Sequence, residues 1–260
     1  MSLDAETIAQ MVLASAPPAN IQSGIVLAAG RGTRLGPLGL ATPKALLDIG
    51  GSILLDQALD AFANTGVANK VVNASHLAEQ IVAHVRKRQG DGAVRISEED
   101  CPLETGGGVL KALPLLGAEP FYAVNADVWW SGSLASGLRA LAAYWRPQAM
   151  DALLLLQATA KIDSYGGRGD FYLDGLGQLT RKQDAETAPF VFTGAQILSP
   201  AAFAGVQNGA FSLNRIYDQA ATNGRLFGVS HSGGWADIGT PQRLTRARNA
   251  AETARARQLL

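Results

Sequence analysis

The sequence predicts an α/β fold, a doubly wound and mostly parallel sheet with a smaller antiparallel elaboration in its second half. Three observations carry that expectation. Between Ile25 and Gln157, apolar runs short enough to be strands alternate with amphipathic stretches at the spacing of right-handed βαβ units. The first run, 25–29, leads straight into the basic loop Gly30-Arg31-Gly32-Thr33-Arg34, and open α/β sheets bind ligands at that edge. Beyond Gln157 the rhythm breaks into short segments separated by Gly166-Gly167, Gly169 and Gly175-x-Gly177, the pattern of hairpins.

A length of 260 residues suits one large α/β domain with an elaborated second half. The 22 Lys and Arg residues balance 22 Asp and Glu, so no global basic field invites nucleic acid or an anionic membrane. Affinity for phosphate must then be local, as at Arg31, Arg34 and Lys44. Cys101 is the lone cysteine, which excludes an intrachain disulfide and a thiolate metal cage, and a reducing, cytoplasmic setting is expected. No apolar run reaches the length of a membrane span, and the N-terminal stretch lacks the basic segment of a signal peptide. His76, His84 and His231 are scattered and read as surface or packing residues.

In chain order, 3–16 has helical spacing at Ile8, Met11, Val12 and Ser15 and stops at Pro17-Pro18. Residues 1–20 are therefore expected to be a helical extension before a single domain over 21–260. After the opening strand, helical periodicity over 53–65 ends at Gly66, a glycine C-cap. A strand over 67–73, a helix over 77–88, a strand over 94–97, a helix over 108–116 and a strand over 121–125 follow. A helix over 134–145 and a strand over 152–157 complete the alternation. In the second half, Phe171-Tyr172-Leu173 is a hairpin segment, and 190–198 is a strand with Gly194 as a bulge or close-approach point. A helix over 213–223, a strand over 226–229 and a terminal helix over 241–260, with Thr240 as N-cap and Pro241 next, close the chain.

The chemistry concentrates at the strand ends. Gly30 and Gly32 let backbone N–H groups approach phosphate oxygens, and Leu27, Ala28, Ala29 and Thr33 share that turn. Arg34, and Lys44 in Thr42-Pro43-Lys44-Ala45-Leu46, add charge and donors. The P-loop pattern is absent, and Gly30, Gly32 and Gly36 are spaced one residue too widely for a dinucleotide fingerprint. The second strand also ends in Asn73-Ala74, without the acid that a nicotinamide ribose needs. Asp127 ends the apolar run 121–125, well placed for Mg²⁺, which takes one or two carboxylates plus phosphate oxygens and water; a helix cap is the alternative. Asp237, between Trp235 and Gly239-Thr240, is the second candidate, with an Asx turn as its alternative. The glycine run Gly106-Gly107-Gly108 after Glu98-Glu99 implies close approach by a ligand or another backbone, or a flexible loop. Gly167-Arg168-Gly169-Asp170-Phe171 is a hairpin tip or a polar recognition turn.

L-A-A-G-x-G-T-R-L, T-P-K-A-L, V-N-x-D and W-x-D-x-G-T together closely resemble the signature of the sugar-1-phosphate nucleotidyltransferases. L-E-T-G-G-G and G-R-G-D-F resemble those members that act on N-acetylmuramic acid 1-phosphate in bacterial cell-wall recycling, and the likeness runs over 24–248. The resemblance implies a Rossmann-like domain, a nucleoside triphosphate (UTP) and a sugar 1-phosphate as substrates, and Mg²⁺ as cofactor. It implies Arg34 and Lys44 as catalytic residues, Asp127 and Asp237 as metal ligands, and the Glu99–Gly106 segment over the nucleobase, where Glu99 can accept the uracil N3–H. It places Asn125, Asp170 and Gly194 on the sugar side, with Arg168, Arg181 and Lys182 as cations for a carboxylated sugar. Another acceptor, glucose or mannose 1-phosphate, or a non-catalytic sugar-nucleotide-sensing relative, stays open at this point, as does oligomeric state.

Overall fold

The computed structural model describes residues 17–89, 94–162 and 165–258. The helix expected over 3–16 lies outside the described residues. The first half contains β1 (Ser23–Leu27), α1 (Pro37–Ala41), the hairpin β2 (Asp48–Ile49) and β3 (Ser52–Ile53), α2 (Leu54–Asn64), β4 (Asn69–Ala74), α3 (Ala78–Gln89), β5 (Arg95–Glu98), α4 (Glu104–Leu116), β6 (Phe121–Asn125), β7 (Val128–Trp130) and α5 (Leu134–Tyr144). The second half adds β8 (Ala152–Ala158), β9 (Phe171–Leu173), β10 (Leu179–Arg181), β11 (Phe190–Leu198), α6 (Asn214–Thr222), β12 (Leu226–His231), β13 (Trp235–Asp237) and α7 (Pro241–Gln258).

The main sheet runs β5-β4-β1-β6-β11-β8-β12. β5, β4, β1 and β6 are mutually parallel, and β11 is the antiparallel member inserted between β6 and β8. The first three parallel strands are laid down outward from β1, and the chain then returns to place β6 on its other side. That reversal opens a crevice at the carboxyl end of β1. Leu27 there pairs with Asn73 on one side and Asn125 on the other.

Side-chain alternation along β1 explains the layers. Ile25 joins Val109, Leu116, Ile216 and Tyr217 of α4 and α6 on one face; Val26 joins Leu55, Phe62, Ile81 and Leu138 of α2, α3 and α5 on the other. Both faces are covered, which is why these strands read as continuous apolar runs. A third cluster, with Leu35, Leu47, Trp129, Ile238 and Leu244, seats α7 and β13 beneath the loop that follows β1. Thr240 caps α7 by accepting from Arg243 N, as its position before Pro241 indicated. Among the described residues no helix is long and apolar enough to cross a membrane.

The helix expected from Gly108 begins four residues earlier, at Glu104, because its first-turn N–H groups find a partner outside the helix: Gly106 N and Gly107 N both donate to Phe211 O. In the second half the glycine turns do produce hairpins. β9 pairs with β10, and Phe171 joins β11 at Phe190. Asp170 fastens that corner: its N donates to Phe190 O, its O accepts from Lys182 N, and its Oδ2 accepts from Phe192 N at 2.9 Å. Gly169 needs its left-handed φ of 66°, and a Cβ there would lie 2.0 Å from Ala188 O.

Two consequences for stability follow from these contacts. A Cβ on Gly24 would stand 2.7–3.0 Å from three ring carbons of Phe62, a ring with no exposure. Gly24→Ala is expected to cost about 1–3 kcal/mol by overpacking, read from urea denaturation; an unchanged midpoint would mean that the ring can yield. Burial holds the Asp170 carboxyl above its ordinary value, although the Phe192 N–H and the Lys182 and Arg181 charges pull it down. Its ionised form is thus disfavoured on folding, and stability is lost as pH rises from the unfolded value through the raised folded one. Asp170→Asn removes that penalty and should melt higher than the parent at neutral pH, with the difference closing below about pH 4. A gap that persists in acid would assign the gain to another cause.

Candidate active site

A cleft of about 210 Å³ opens at the crevice beside β1. Leu27, Ala28, Ala29 and Gly30 form one wall, and Glu99, Leu103 and Thr105 line the opposite one. Gly30 has open space where a Cβ would sit, so its missing side chain keeps the wall low. Gly32 has a left-handed φ of 63° and starts the short turn over Thr33–Leu35. Gly32 and Thr33 therefore shape the loop and lie outside the cleft wall. Gly39 packs so closely on Gly32 O that an added Cβ would be 2.2 Å from it, which ties α1 to the loop.

Lys44 and Asp127 meet on the floor. Lys44 sits in a single helical turn, Lys44–Leu46, and is only 8% exposed, and its Nζ lies 2.7 Å from Asp127 Oδ2. A buried ammonium without a counter-charge would be costly, so the carboxylate stabilises it there. Asp127 follows β6, and its O accepts from Ile238 N at 3.0 Å. β13 pairs antiparallel with β7, with Asp237 opposite Val128, so the two aspartates expected as metal ligands are neighbours although 110 residues separate them (237 − 127). Arg243, from the first turn of α7, donates to Asp237 Oδ2. Arg34 reaches the same place: a Cβ on Gly239 would lie 3.0 Å from Asp237 Oδ1 and 3.3 Å from Arg34 Nη2.

Asp127 and Asp237, on adjoining segments and offering oxygen donors only, are the residues whose chemistry suits Mg²⁺, which takes one or two carboxylates and completes its shell with phosphate oxygens and water. Among the described residues no group of three or more His, Cys, Asp or Glu is positioned to hold a metal without such help.

Asn125 and Gly194, expected to bind the sugar, are in contact. Gly194 has a φ of 88°, the pairing of β11 with β8 shifts register around it, and a Cβ there would be 3.0 Å from Asn125 Cβ and 3.2 Å from its Nδ2. Trp235 Nε1 holds the bulge by donating to Thr193 O at 2.7 Å. Asp170 fastens β11 from 22 positions before Phe192 and does not line the cleft. Arg181 is not a free cation, since its guanidinium forks onto Asp218 of α6 at 2.7 Å through two nitrogens. Arg168 and Lys182 carry no such fork. Tyr165 accepts from Gly169 N at 3.2 Å; burial raises its phenol, which also feels Asp170, Arg243 and Asp237. It thus stands between the hairpin turn and the second aspartate, a position its sequence context does not signal.

Glu99, expected to meet the nucleobase, is 5% exposed and lines the cleft, with Oε1 accepting from Asn73 Nδ2 at 2.7 Å and Oε2 from Leu103 N at 3.1 Å. Gly106, expected to touch nucleotide, faces away: it is buried, and a Cβ there would be 2.3 Å from the Phe211 ring. A Cβ on Gly107 would meet Gly209 O at 2.2 Å, and one on Gly108 would meet both Asn73 Nδ2 and Glu99 Oε1 at 2.7 Å. The close approach that the triplet implied is therefore by other parts of the chain. Asn73 and Arg243 are not singled out by the sequence: the first stands where an acid would be the signal of a nicotinamide site, and the second is one of several arginines in an Arg- and Ala-rich terminal helix.

The model of the MobA-like NTP transferase domain matches residues 24–158. The chain is 38% identical over 222 residues to an N-acetylmuramate alpha-1-phosphate uridylyltransferase of Caulobacter vibrioides, covering 84% of this chain and 92% of that protein. It is 32% identical over 237 residues to the protein of the same name from Neisseria meningitidis serogroup B, covering 86% and 95%. The fold is shared with the inositol-1-phosphate CTP transferase of T. maritima, at a TM-score of 0.73 and 16% identity, covering 92% of this chain and 98% of that one. The loop after β1, the Lys44–Asp127 pair and Asp237 thus sit in a chain that belongs to the MobA-like NTP transferase family, among its sugar-1-phosphate nucleotidyltransferases.

Proposed function

We propose that the protein transfers UMP from UTP to a sugar 1-phosphate, N-acetylmuramic acid 1-phosphate, releasing pyrophosphate and a nucleotide sugar in the cytoplasm. The observation that carries this reading is the Lys44–Asp127 pair lining the cleft, with the segment of Asp237, which Arg34 approaches, hydrogen-bonded to Asp127 through Ile238 N, in a chain similar over most of its length to enzymes named for that reaction. It argues against a non-catalytic sensing relative, which has no need to keep all four.

In the reaction an anionic oxygen of the sugar phosphate attacks the α-phosphorus of the triphosphate in line, a P–O bond forms, and the bond to pyrophosphate breaks. The nucleophile is already ionised at neutral pH, so no general base is required; the site must bring two anions together and stabilise charge on the transferring group. Lys44 offers a compact ammonium in a site largely closed to water, where its charge acts strongly. Arg34 brings a second cation to the rim beside Asp237. The wall from Ala28 to Gly30 orients the phosphates, and Asn125 with the Gly194 bulge bounds the acceptor side. Asp127 and Asp237 would hold Mg²⁺, which, when bound, neutralises phosphate charge in the ground and transition states. Glu99, acceptor-only when ionised, suits a base edge that presents an N–H, as uracil does and cytosine at N3 does not.

Asp127→Asn and Asp237→Asn keep side-chain shape and remove charge, so turnover should fall by ~10²-fold or more in each; Asp127→Asn, which leaves the buried Lys44 ammonium without its counter-charge, should also melt lower than the parent. Near-parental turnover at saturating Mg²⁺ would remove that residue from the proposed metal site. Pyrophosphate release with UTP should give the highest kcat/KM for N-acetylmuramic acid 1-phosphate, then N-acetylglucosamine 1-phosphate, then glucose 1-phosphate, because a site built for a polar substituent rejects the analogue lacking it. If glucose 1-phosphate were equal or better, the acceptor would have to be reassigned, whereas no pyrophosphate with any acceptor would sink the transferase reading.

A further inference from the structure

We infer that Asn73 is a positioning residue for nucleobase selection: its side-chain amide ties the base-side carboxylate of Glu99 to the first residue of the phosphate loop. The inference rests on the reading of Glu99 as the group that meets the base. Asn73 is 2% exposed and is the penultimate residue of β4, level with Leu27 at the end of β1. Its Oδ1 accepts from Ala28 N at 2.7 Å, and its Nδ2 donates to Glu99 Oε1 at 2.7 Å. These partners fix which way the amide points, since a backbone N–H can only donate and an ionised carboxylate can only accept. Glu99 is gripped from three directions: by Asn73 at Oε1, by Leu103 N at Oε2, and through its own N, which donates to Ala74 O at 2.7 Å.

Each carboxylate oxygen has two lone-pair directions. With one of each used inside the protein, the others are left for the cleft that Ala28, Asn73, Glu99 and Leu103 all line. The bridge therefore presents an acceptor face at a set distance from the loop that handles the phosphates. A pyrimidine with an N–H between two carbonyls matches that face; one with a bare ring nitrogen there meets acceptor with acceptor. The bridge also accounts for Gly108, because a Cβ at that position would lie 2.7 Å from both Asn73 Nδ2 and Glu99 Oε1. A merely structural asparagine would hold strands together and leave base preference alone.

The test is the ratio of kcat/KM for UTP over CTP, with melting temperature followed in parallel. In Glu99→Gln the amide has one acceptor oxygen for two donors, Asn73 Nδ2 and Leu103 N, and its N–H₂ replaces an acceptor at the cleft, so the ratio is expected to fall about tenfold or more. Asn73→Ala should lower the ratio by a similar factor, mostly through KM for UTP. In the double variant the amide oxygen is left to Leu103 N alone, and because both substitutions act on one acceptor face the two effects should not multiply. If Asn73→Ala does not fold, Gly108→Ala, whose methyl wedges into the bridge while leaving both partners in place, is read in its stead. An unchanged ratio in Glu99→Gln would overturn the reading of Glu99 and the inference with it. A ratio that falls in Glu99→Gln but holds in Asn73→Ala, with only the melting temperature lowered, would overturn the inference alone.

Discussion

The two-sided pairing of β1 is the constraint on which the rest of the site depends. Hydrogen-bonded to β4 on one edge and β6 on the other, and covered by helices on both faces, the strand cannot shift without breaking two ladders and two cores. Leu27 consequently ends at a fixed point between Asn73 and Asn125, and the loop that follows begins from a rigid base. The nucleotide wall, the base-side carboxylate and the acceptor side are all measured from that point. Groups that must meet reacting phosphates are best carried on such a base, since small displacements are costly to catalysis.

Charge is handled locally in a chain with no formal net charge. Lys44, which lines the cleft, is matched by Asp127, and nearby Arg243 is matched by Asp237, with Arg34 beside the latter. These pairings let a buried ammonium exist without phosphates present, and they put both signs where a metal–triphosphate complex, itself of mixed charge, would sit. The surrounding protein contributes little long-range field, so recognition rests on short-range geometry.

The second half of the chain is shaped by two close approaches. The bulge at Gly194 brings β11 against Asn125, and the corner at Gly169 and Asp170 folds the β9–β10 hairpin back onto the start of β11. The glycine triplet of α4 belongs to the same design. Gly106 and Gly107 admit the segment around Phe211 and Gly209, and Gly108 admits the Asn73–Glu99 bridge. Small residues here serve the packing of chain on chain, which in turn positions side chains that face the cleft.

The sequence by itself determined the α/β class and the longer strands and helices of the first half, though not α1, β2, β3 or β7, and it singled out Lys44 and Asp127, which the fold brings together. Those features are local: the period of apolar residues, the loop that must follow an apolar run, the aspartate that ends one. Tertiary structure alone decided the partners. Lys44 and Asp127 are 83 positions apart and Asn73 and Glu99 are 26 apart; the second pair meets because β5 lies beside β4 in a particular register, and the first because the segment after β1 folds back over the end of β6. The same holds for Gly106, whose place in a suggestive motif pointed to a ligand, although the Phe211 ring fills the space beside it. Periodicity reports which face of an element is buried but not what is buried against it; strand order and register supply that, and neither is written in any short stretch of the chain.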